Sequence, residues 1–562
     1  MTTGSVLGQP ALFRLTDEEE LPTDLSVRES RLLVGALNFH ALMAPSRELT
    51  VHAYSGDWSS LPRTTDDSTF TGESTAYHSR AYSFRMASTV EPEQRAPIEA
   101  EAASLALAAR DTRHLHVSRD TVLAYDPPRE LDGSALRRAA RAVRARTPLL
   151  YDELRDLELL RHRRPLHSPV RRHRYEREFQ PGGEYEHSRI VPAGAVQDGA
   201  PRAVLFGLHW FELGGAERWA FESVRIARDA GFLPIVLTNR DSHQPWIDRP
   251  ELDGALLIPF SEESGLASES QTPGVEELLR ALFRLYDIRG VMVHHNQWLY
   301  DRLGWIARSR PGIPIVDSTH IVEYRGGGYP VTSAIQAEAI TIHHVISPTL
   351  ARWMTQVQGI EADKVVMAPL GGLTVDVKEA EFRVRADGER FTVAFVGRMA
   401  RQKAPEVFIA MAQRLRREGH DLRLIMHGDG EMASWVDELI ERAGLVVERR
   451  HSSVPVSQTL DESHLLVVPS HNEGLTLTTL EAIAHGVPVV STDVGGQSDI
   501  IPRRALSSRY AHRAAAQLAR AVASAIDEDA RRQLWREERK AEKRLLKMES
   551  ASTWFEKEVR SW

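Results

Sequence analysis

The chain of 562 residues contains no cysteine. That absence excludes disulfides, thiolate metal sites and cysteine nucleophiles, and it leaves the redox compartment undetermined. Long apolar runs are missing as well. No stretch reaches the roughly 18 apolar residues that a membrane-spanning helix needs, and Met1 to Ser30 is acidic without the apolar centre of a secretory signal. A soluble, cytoplasmic protein is expected. Positive charge is not in excess either: the formal net charge is -8, so nothing global attracts nucleic acid and any polyanion site must be local.

Hydrophobic residues make up 42% and charged residues 26%, the usage of an ordinary packed protein. The length exceeds what one core serves, so several domains are expected. Residues 1–180 show short apolar stretches broken by polar clusters. Pro97 to Arg110 is alanine-rich and predicts a helix, and His114 to Tyr125 predicts a strand, together an α+β accessory domain suited to acceptor recruitment or oligomerisation. Residues 137–178 carry thirteen arginines against six acids. This is either a solvated helix face whose long side chains cover apolar surface, or a docking site for an acidic partner, a phosphate-bearing acceptor or an anionic membrane. Residues 181–200, rich in Gly, Pro and polar side chains, predict a linker.

After Pro201 short apolar runs alternate with helical patterns. Ala203 to Leu208, Pro234 to Leu237, Gly290 to His294 and Pro314 to Asp317 predict buried parallel strands, and so do Phe391 to Val396, Leu422 to His427, Leu465 to Pro469 and Val487 to Ser491. The fold class is α/β: two doubly wound Rossmann-like domains, over 201–388 and 389–530, with a last helix over 531–562.

Ligands in such sheets bind beyond the carboxyl ends of strands, where helix N-termini attract phosphate. Three segments fall there. After Pro469 a loop carries Glu473, Gly474, Leu475 and Thr476, and a helix follows with Glu481. Two carboxylates eight positions apart, one in the loop and one on the helix, suit the hydroxyls of a sugar and of a ribose. The strand ending at Val396 runs into Gly397, Arg398 and Lys403, whose fork and point charge suit a diphosphate. Gly214 and Gly215 follow the opening strand at a helix start. No third glycine completes a dinucleotide fingerprint there, so no nicotinamide cofactor is expected. Gly428 lies in a glycine turn after Leu422 to His427.

The Glu473-x7-Glu481 spacing, with Pro469-Ser470 before it and Gly486-Val487-Pro488-Val489-Val490 after it, resembles the signature of retaining glycosyltransferases of the GT-B fold, family 4 in particular. Gly397-Arg398 with Lys403, and Gly214-Gly215-Ala216-Glu217, are similar to that family's other motifs, although Ala404 stands where the family often has Gly. The resemblance covers about Ala203 to Trp562. It implies that Glu473 contacts the donor sugar, Glu481 the ribose, and Arg398 and Lys403 the diphosphate. His320 resembles a cleft histidine near the reacting centre, and the 531–562 helix would cross back to the acceptor-side domain. It further implies a UDP- or GDP-sugar co-substrate, no other cofactor, no metal, and front-face transfer with retention to an acceptor the sequence does not name. Two rivals are a nucleotide-sugar epimerase on the same fold and a non-catalytic sugar- or partner-binding scaffold.

Overall fold

The computed structural model describes residues 4–54, 80–93, 111–116, 143–154 except 145 and 152, 192–260 except 213, 241 and 243, 275–373 except 324–327, and 380–562. Two all-parallel sheets dominate it. The first has seven strands in the spatial order Val365–Met367, Ile342–Val345, Ile315–Thr319, Asp287–His294, Arg202–Leu208, Leu233–Thr238 and Leu256–Pro259. The second has six: Val447–Arg450, Leu422–His427, Phe391–Val396, Leu465–Val468, Val489–Thr492 and Leu506–Ser507. In each, the chain starts in the middle, runs to one edge, returns to the middle and runs to the other, the doubly wound order of Rossmann domains. Helices on both faces explain why the central strands are buried along nearly their whole length. Two such domains about a cleft make this an α/β GT-B fold.

All eight predicted strands are present, and five shorter ones join them. Val447–Arg450 is not among the strands expected from sequence, and its Glu-Arg-Arg carries no apolar alternation. It forms because its backbone completes the edge beside Leu422–His427, while Arg450 and Glu448 pair with each other and with Glu462 and Arg423 respectively.

The first 180 residues are not a separate domain among the residues described. A mixed sheet of Phe13–Asp17, Arg80–Ser88, Glu48–Tyr54 and Thr112–His116 is joined to the first Rossmann domain by the helix Val27–Met43, whose capping box of Ser26 and Glu29 fixes its start. That helix is buried on all sides. Leu37, Phe39 and Leu42 lie in the same core as Leu205, Ile258 and Phe260, and Phe39 meets the Phe260 ring at 5.7 Å. Arg280 grips Glu93 at 2.8 and 2.9 Å from across the join. The expected strand at His114 begins earlier, at Thr112, and its continuation beyond 116 lies outside the described residues, as does the Pro97 to Arg110 helix.

Other boundaries also shift. Residues 192–200 were expected to be linker, yet they pack on the first domain: Ala193 N–H donates to Ser309 and Gln197 N–H to the Arg284 carbonyl. Most of 137–178 lies outside the described residues. In the part that is described, Arg144 stacks on Trp435 at 4.3 Å and Glu153 accepts from His512 N–H at 2.9 Å, both on the second domain. Arg383 N–H donates to the Gly486 carbonyl and Phe382 faces Trp535, so 380–388 belongs to the second domain rather than the first. The single C-terminal helix is two. Glu528–Leu546 stays with the second domain, where Trp535 donates to the Ile483 carbonyl. Ala551–Arg560 crosses to the first, where Phe555 meets Trp219 and Trp554 stacks on His344. Among the described residues no helix is long and apolar enough to cross a membrane.

Because Phe39 is fully buried between the extension and the first Rossmann sheet, Phe39→Ala should cost about 3–5 kcal/mol. Val27, exposed on the same helix, should tolerate Ala within about 0.5 kcal/mol. Chemical denaturation checks both, and equal small losses would show that the extension does not share the core.

Candidate functional site

Strand order reverses between Arg202–Leu208 and Asp287–His294 in the first sheet, and between Phe391–Val396 and Leu465–Val468 in the second. At such a reversal the connections leave in opposite directions and open a crevice. The two crevices face each other and share one cavity of about 560 Å³, lined by Leu208 and His294 on one side and by Val396 and Val468 on the other. Every site residue expected from sequence lines it: His320, Arg398, Lys403, Glu473 and Glu481, and with them Gly214, Gly215, Gly397, Gly428, Gly474, Leu475 and Thr476.

The second-domain wall is built around Glu473, which sits just past the strand Leu465–Val468 and is buried rather than loop-exposed. Its Oε1 accepts from Lys403 Nζ at 2.6 Å, and its backbone carbonyl accepts Val322 N–H from the opposite domain at 3.1 Å. Gly474 comes next. A Cβ there would collide with the His320 carbonyl oxygen, so only glycine lets the two backbones meet. Glu481, on the helix Leu477–Ala484, accepts from Arg218 Nη1 at 2.7 Å, and Arg218 belongs to the first-domain helix Gly215–Asp229. Each carboxylate therefore has a cation, one from its own domain and one from across the cleft.

Arg398 lies over the Trp210 ring, 5.0 Å from its centroid. Trp210 Nε1–H in turn donates to Glu217 at 2.9 Å. Burial raises the Glu217 carboxyl above its usual pKa, opposed by Arg398. Two turns meet beneath Arg398: Gly428, at φ +133°, lies against the Gly397 carbonyl, where a side chain has no room. Ala404 adopts φ +50° and ψ +55°. Glycine takes this left-handed geometry freely, whereas alanine bears about 1–2 kcal/mol of strain, which gives the family's Gly at this position a backbone reason.

Both helices that enter the cavity begin without a side-chain cap, the first at Gly214 and the second at Thr476. Their first turns line the cavity, and uncapped N–H groups at two converging helix starts favour an anion. The histidines of the opposite wall are neutral. Burial lowers His209 to about 3 and His295 to about 4, and drives His294 and His320 well below the usual imidazole value. His294 bonds Ser223, and His295 stacks flat on Tyr329 at 4.3 Å and accepts His320 N–H. Asp527, in the Asp-x-Asp of the second half, caps the helix Glu528–Leu546 and lies away from the cavity.

Sequence reasoning missed the roles of Trp210, Arg218 and Tyr329 in this wall. Arg218 had a signal, since it follows the Gly214–Glu217 motif and stands one helical turn after Gly214. Trp210 and Tyr329 had none.

The fold and the shared crevice define the class as GT-B. Residues 376–542, which lie on the second domain, match the family model described as "Glycosyl transferases group 1". The chain is similar to the D-inositol 3-phosphate glycosyltransferase of Nocardia farcinica (strain IFM 10152), 29% identical over 284 residues, which are 45% of this chain and 59% of that protein. It is likewise similar to the protein of that name from Salinispora arenicola (strain CNS-205), 30% identical over 242 residues, 36% of this chain and 54% of that one. The chain thus spans between half and three fifths of the curated relatives it matches. Among solved structures, sucrose-phosphate synthase from Thermosynechococcus elongatus aligns at a TM-score of 0.47 and 17% identity, over 61% of this chain and 95% of that one. A glycosyltransferase from Rickettsia africae ESF-5 aligns at 0.46 and 13%, over 64% and 97%.

Two outcomes follow from this geometry. Gly474→Ala should cost about 1–3 kcal/mol as an overpacking change and should open the cleft, read as a larger radius of gyration by small-angle scattering. An unchanged radius and midpoint would mean that the domains do not close on this contact. The neutral imidazoles also make stability depend on pH. Their folded pKa values lie below the unfolded value near 6.5, so between about pH 6.5 and 4 the unfolded chain binds more protons and stability falls as pH falls. His295, lowered to about 4, alone removes about 3 kcal/mol across that window. Urea denaturation at pH 7.5, 5.5 and 4.5 reads this directly; a flat profile would place these rings in water.

Proposed function

We propose that the protein is a retaining glycosyltransferase of the family 4 kind, moving a sugar from a UDP- or GDP-sugar to a hydroxyl of an acceptor without a metal. One observation carries the reading. Two uncapped helix starts, Arg398 and Lys403 converge on the same cavity as the carboxylates Glu473 and Glu481. Cations and helix termini meet a diphosphate, and carboxylates meet hydroxyls, so the set matches a sugar nucleotide piece by piece. The names of the curated relatives specify D-inositol 3-phosphate, which makes a polyhydroxylated phosphate ester the first acceptor to try.

In the reaction the bond between the anomeric carbon and the β-phosphate oxygen breaks while the acceptor oxygen bonds to that carbon on the same face. The acceptor proton passes to the departing phosphate oxygen. Arg398, Lys403 and the two helix starts stabilise the negative charge that grows on the diphosphate, in a fixed arrangement that needs no reorganisation. Glu473, neutralised by Lys403, orients sugar hydroxyls and is not available as a nucleophile. Glu481 takes the ribose hydroxyls in exchange for Arg218.

Transfer from UDP- and GDP-sugars, scored by nucleoside-diphosphate release and by the anomeric configuration of the product, tests the assignment. Glu473→Gln should abolish transfer, while the midpoint of denaturation falls by no more than about 1 kcal/mol because the amide still accepts from Lys403. Arg398→Ala should weaken nucleoside-diphosphate binding about tenfold or more, and turnover should persist in excess EDTA. Near wild-type turnover in Glu473→Gln, an inverted product, or complete metal-reversible loss in EDTA would each overturn the mechanism. Epimerised nucleotide sugar without acceptor would favour the epimerase.

A further inference from the structure

Ser318 is fully buried at the end of the strand Ile315–Thr319, and four groups determine where its one proton points. His344 Nε2 lies 2.9 Å from the Ala368 carbonyl. A carbonyl only accepts, so His344 carries its proton on Nε2, and its Nδ1, 2.7 Å from Ser318 Oγ, is a bare acceptor. Ser318 must donate to it. Trp219 Nε1–H, which only donates, comes to the same oxygen at 3.0 Å. His320 Nε2 is the last neighbour, at 2.7 Å. With the Ser318 proton already spent on His344, the His320 contact holds only if His320 donates from Nε2. A neutral imidazole has one N–H, so His320 Nδ1 is a lone pair. That atom is buried without a hydrogen-bond partner among the described residues, on a ring that lines the cavity. Burial keeps both rings neutral.

We propose that Ser318 and His344 are positioning residues that lock His320 in the Nε2–H tautomer, which leaves its Nδ1, on a ring that lines the cleft, as the bare acceptor for a hydroxyl hydrogen of a bound sugar substrate. The relay runs from the Ala368 carbonyl through His344 and Ser318 to the cleft, and Trp219 closes the fourth direction around the serine oxygen. It makes the ring selective in sense: a hydroxyl is welcomed as donor, whereas a group that only accepts, such as a phosphate oxygen, is refused. The inference about the ligand rests on the transferase reading. The tautomer itself does not.

The test is two-bond proton–nitrogen correlation on the full-length protein labelled with nitrogen-15 histidine, the His320 ring being identified by its loss in His320→Gln. The wild type should show the Nε2–H form with a bare Nδ1. Ser318→Ala should move the proton to Nδ1 or mix the two forms, and should lower turnover about tenfold, the size of one hydrogen bond, with UDP or GDP affinity unchanged within about twofold. If Ser318→Ala does not fold, His344→Phe keeps the ring stack on Trp554 and frees the serine proton to donate to His320, which should put the His320 proton on Nδ1. A wild-type proton on Nδ1, or an Nε2–H form unmoved in either variant, would overturn the relay. Adding UDP against UDP-glucose, and GDP against GDP-mannose, separates the sources of the hydroxyl: a shift of Nδ1 with the sugar nucleotide alone assigns it to the donor sugar, and one that needs added D-inositol 3-phosphate assigns it to the acceptor. Binding of these probes with no shift at Nδ1 would overturn its role as acceptor. A protein that binds none of them while keeping both tautomer results would sink the transferase reading and leave the relay standing.

Discussion

Everything in the cleft depends on one close approach, the backbone of Gly474 against the carbonyl of His320. Parallel sheets put their ligand-facing loops at one end only, so two Rossmann domains share a site only if those ends are brought face to face. The missing side chain at 474 permits that. Val322 N–H to the Glu473 carbonyl then fixes the approach at 3.1 Å, while Gly496 N–H to the Gly474 carbonyl, at 2.7 Å, holds the glycine loop within its own domain. Thr349 adds two hydrogen bonds to Asp499 at the flank. With this seam closed, Arg218 reaches Glu481 and Trp210 reaches Arg398. Both contacts join side chains from different domains.

The electrostatics of the cavity follow from that closure. Burying Glu473 and Glu481 without partners would cost more than the fold can bear, and each has a cation within hydrogen-bond reach. A ligand entering here exchanges partners rather than meeting bare charge. On the facing wall the same burial has the opposite consequence: imidazoles give up their protons and serve as neutral hydrogen-bonding groups. Arg398 and Lys403 of one wall offer charge to a diphosphate, and the histidines of the other offer directed neutral contacts to hydroxyls.

Much of this was legible in the sequence because parallel strands buried on both faces read as continuous apolar runs, and because the loops after them carry chemistry at short spacing. Glu473, Arg398 and Lys403 are found this way in the loops just past a strand end, and Glu481 on the helix that follows such a loop. From the far domain, His320, Gly214 and Gly215 were found by their motifs, but the aromatic side chains that reach the site were not. Trp210 and Tyr329 owe their place to tertiary closure, and nothing in their neighbours marks them. The strand Val447–Arg450 was hidden by its charges, which pair sideways along the sheet edge. The break between Leu546 and Ala551 was hidden because both helices have ordinary amphipathic patterns, and only Ser550, which caps the second helix through Thr553 N–H, marks it.

The extension was misread for a related reason. Its helix Val27–Met43 was not singled out in the sequence, because Arg28, Glu29, Ser30 and Arg31 break the apolar pattern of its first turns. In the molecule that helix is shared, with one face on the mixed sheet of the extension and the other on Leu256–Pro259, the edge strand of the first Rossmann sheet. Asn38 joins both, donating to the Pro10 and Leu257 carbonyls and accepting Leu12 N–H. An edge strand is a liability when left open. Here Leu256–Pro259 is covered by a helix whose burial on all sides makes the extension and the first Rossmann domain one folding unit. The cleft therefore closes between two bodies rather than among three, and the wall that carries His320 is braced from behind by residues that precede the glycosyltransferase resemblance.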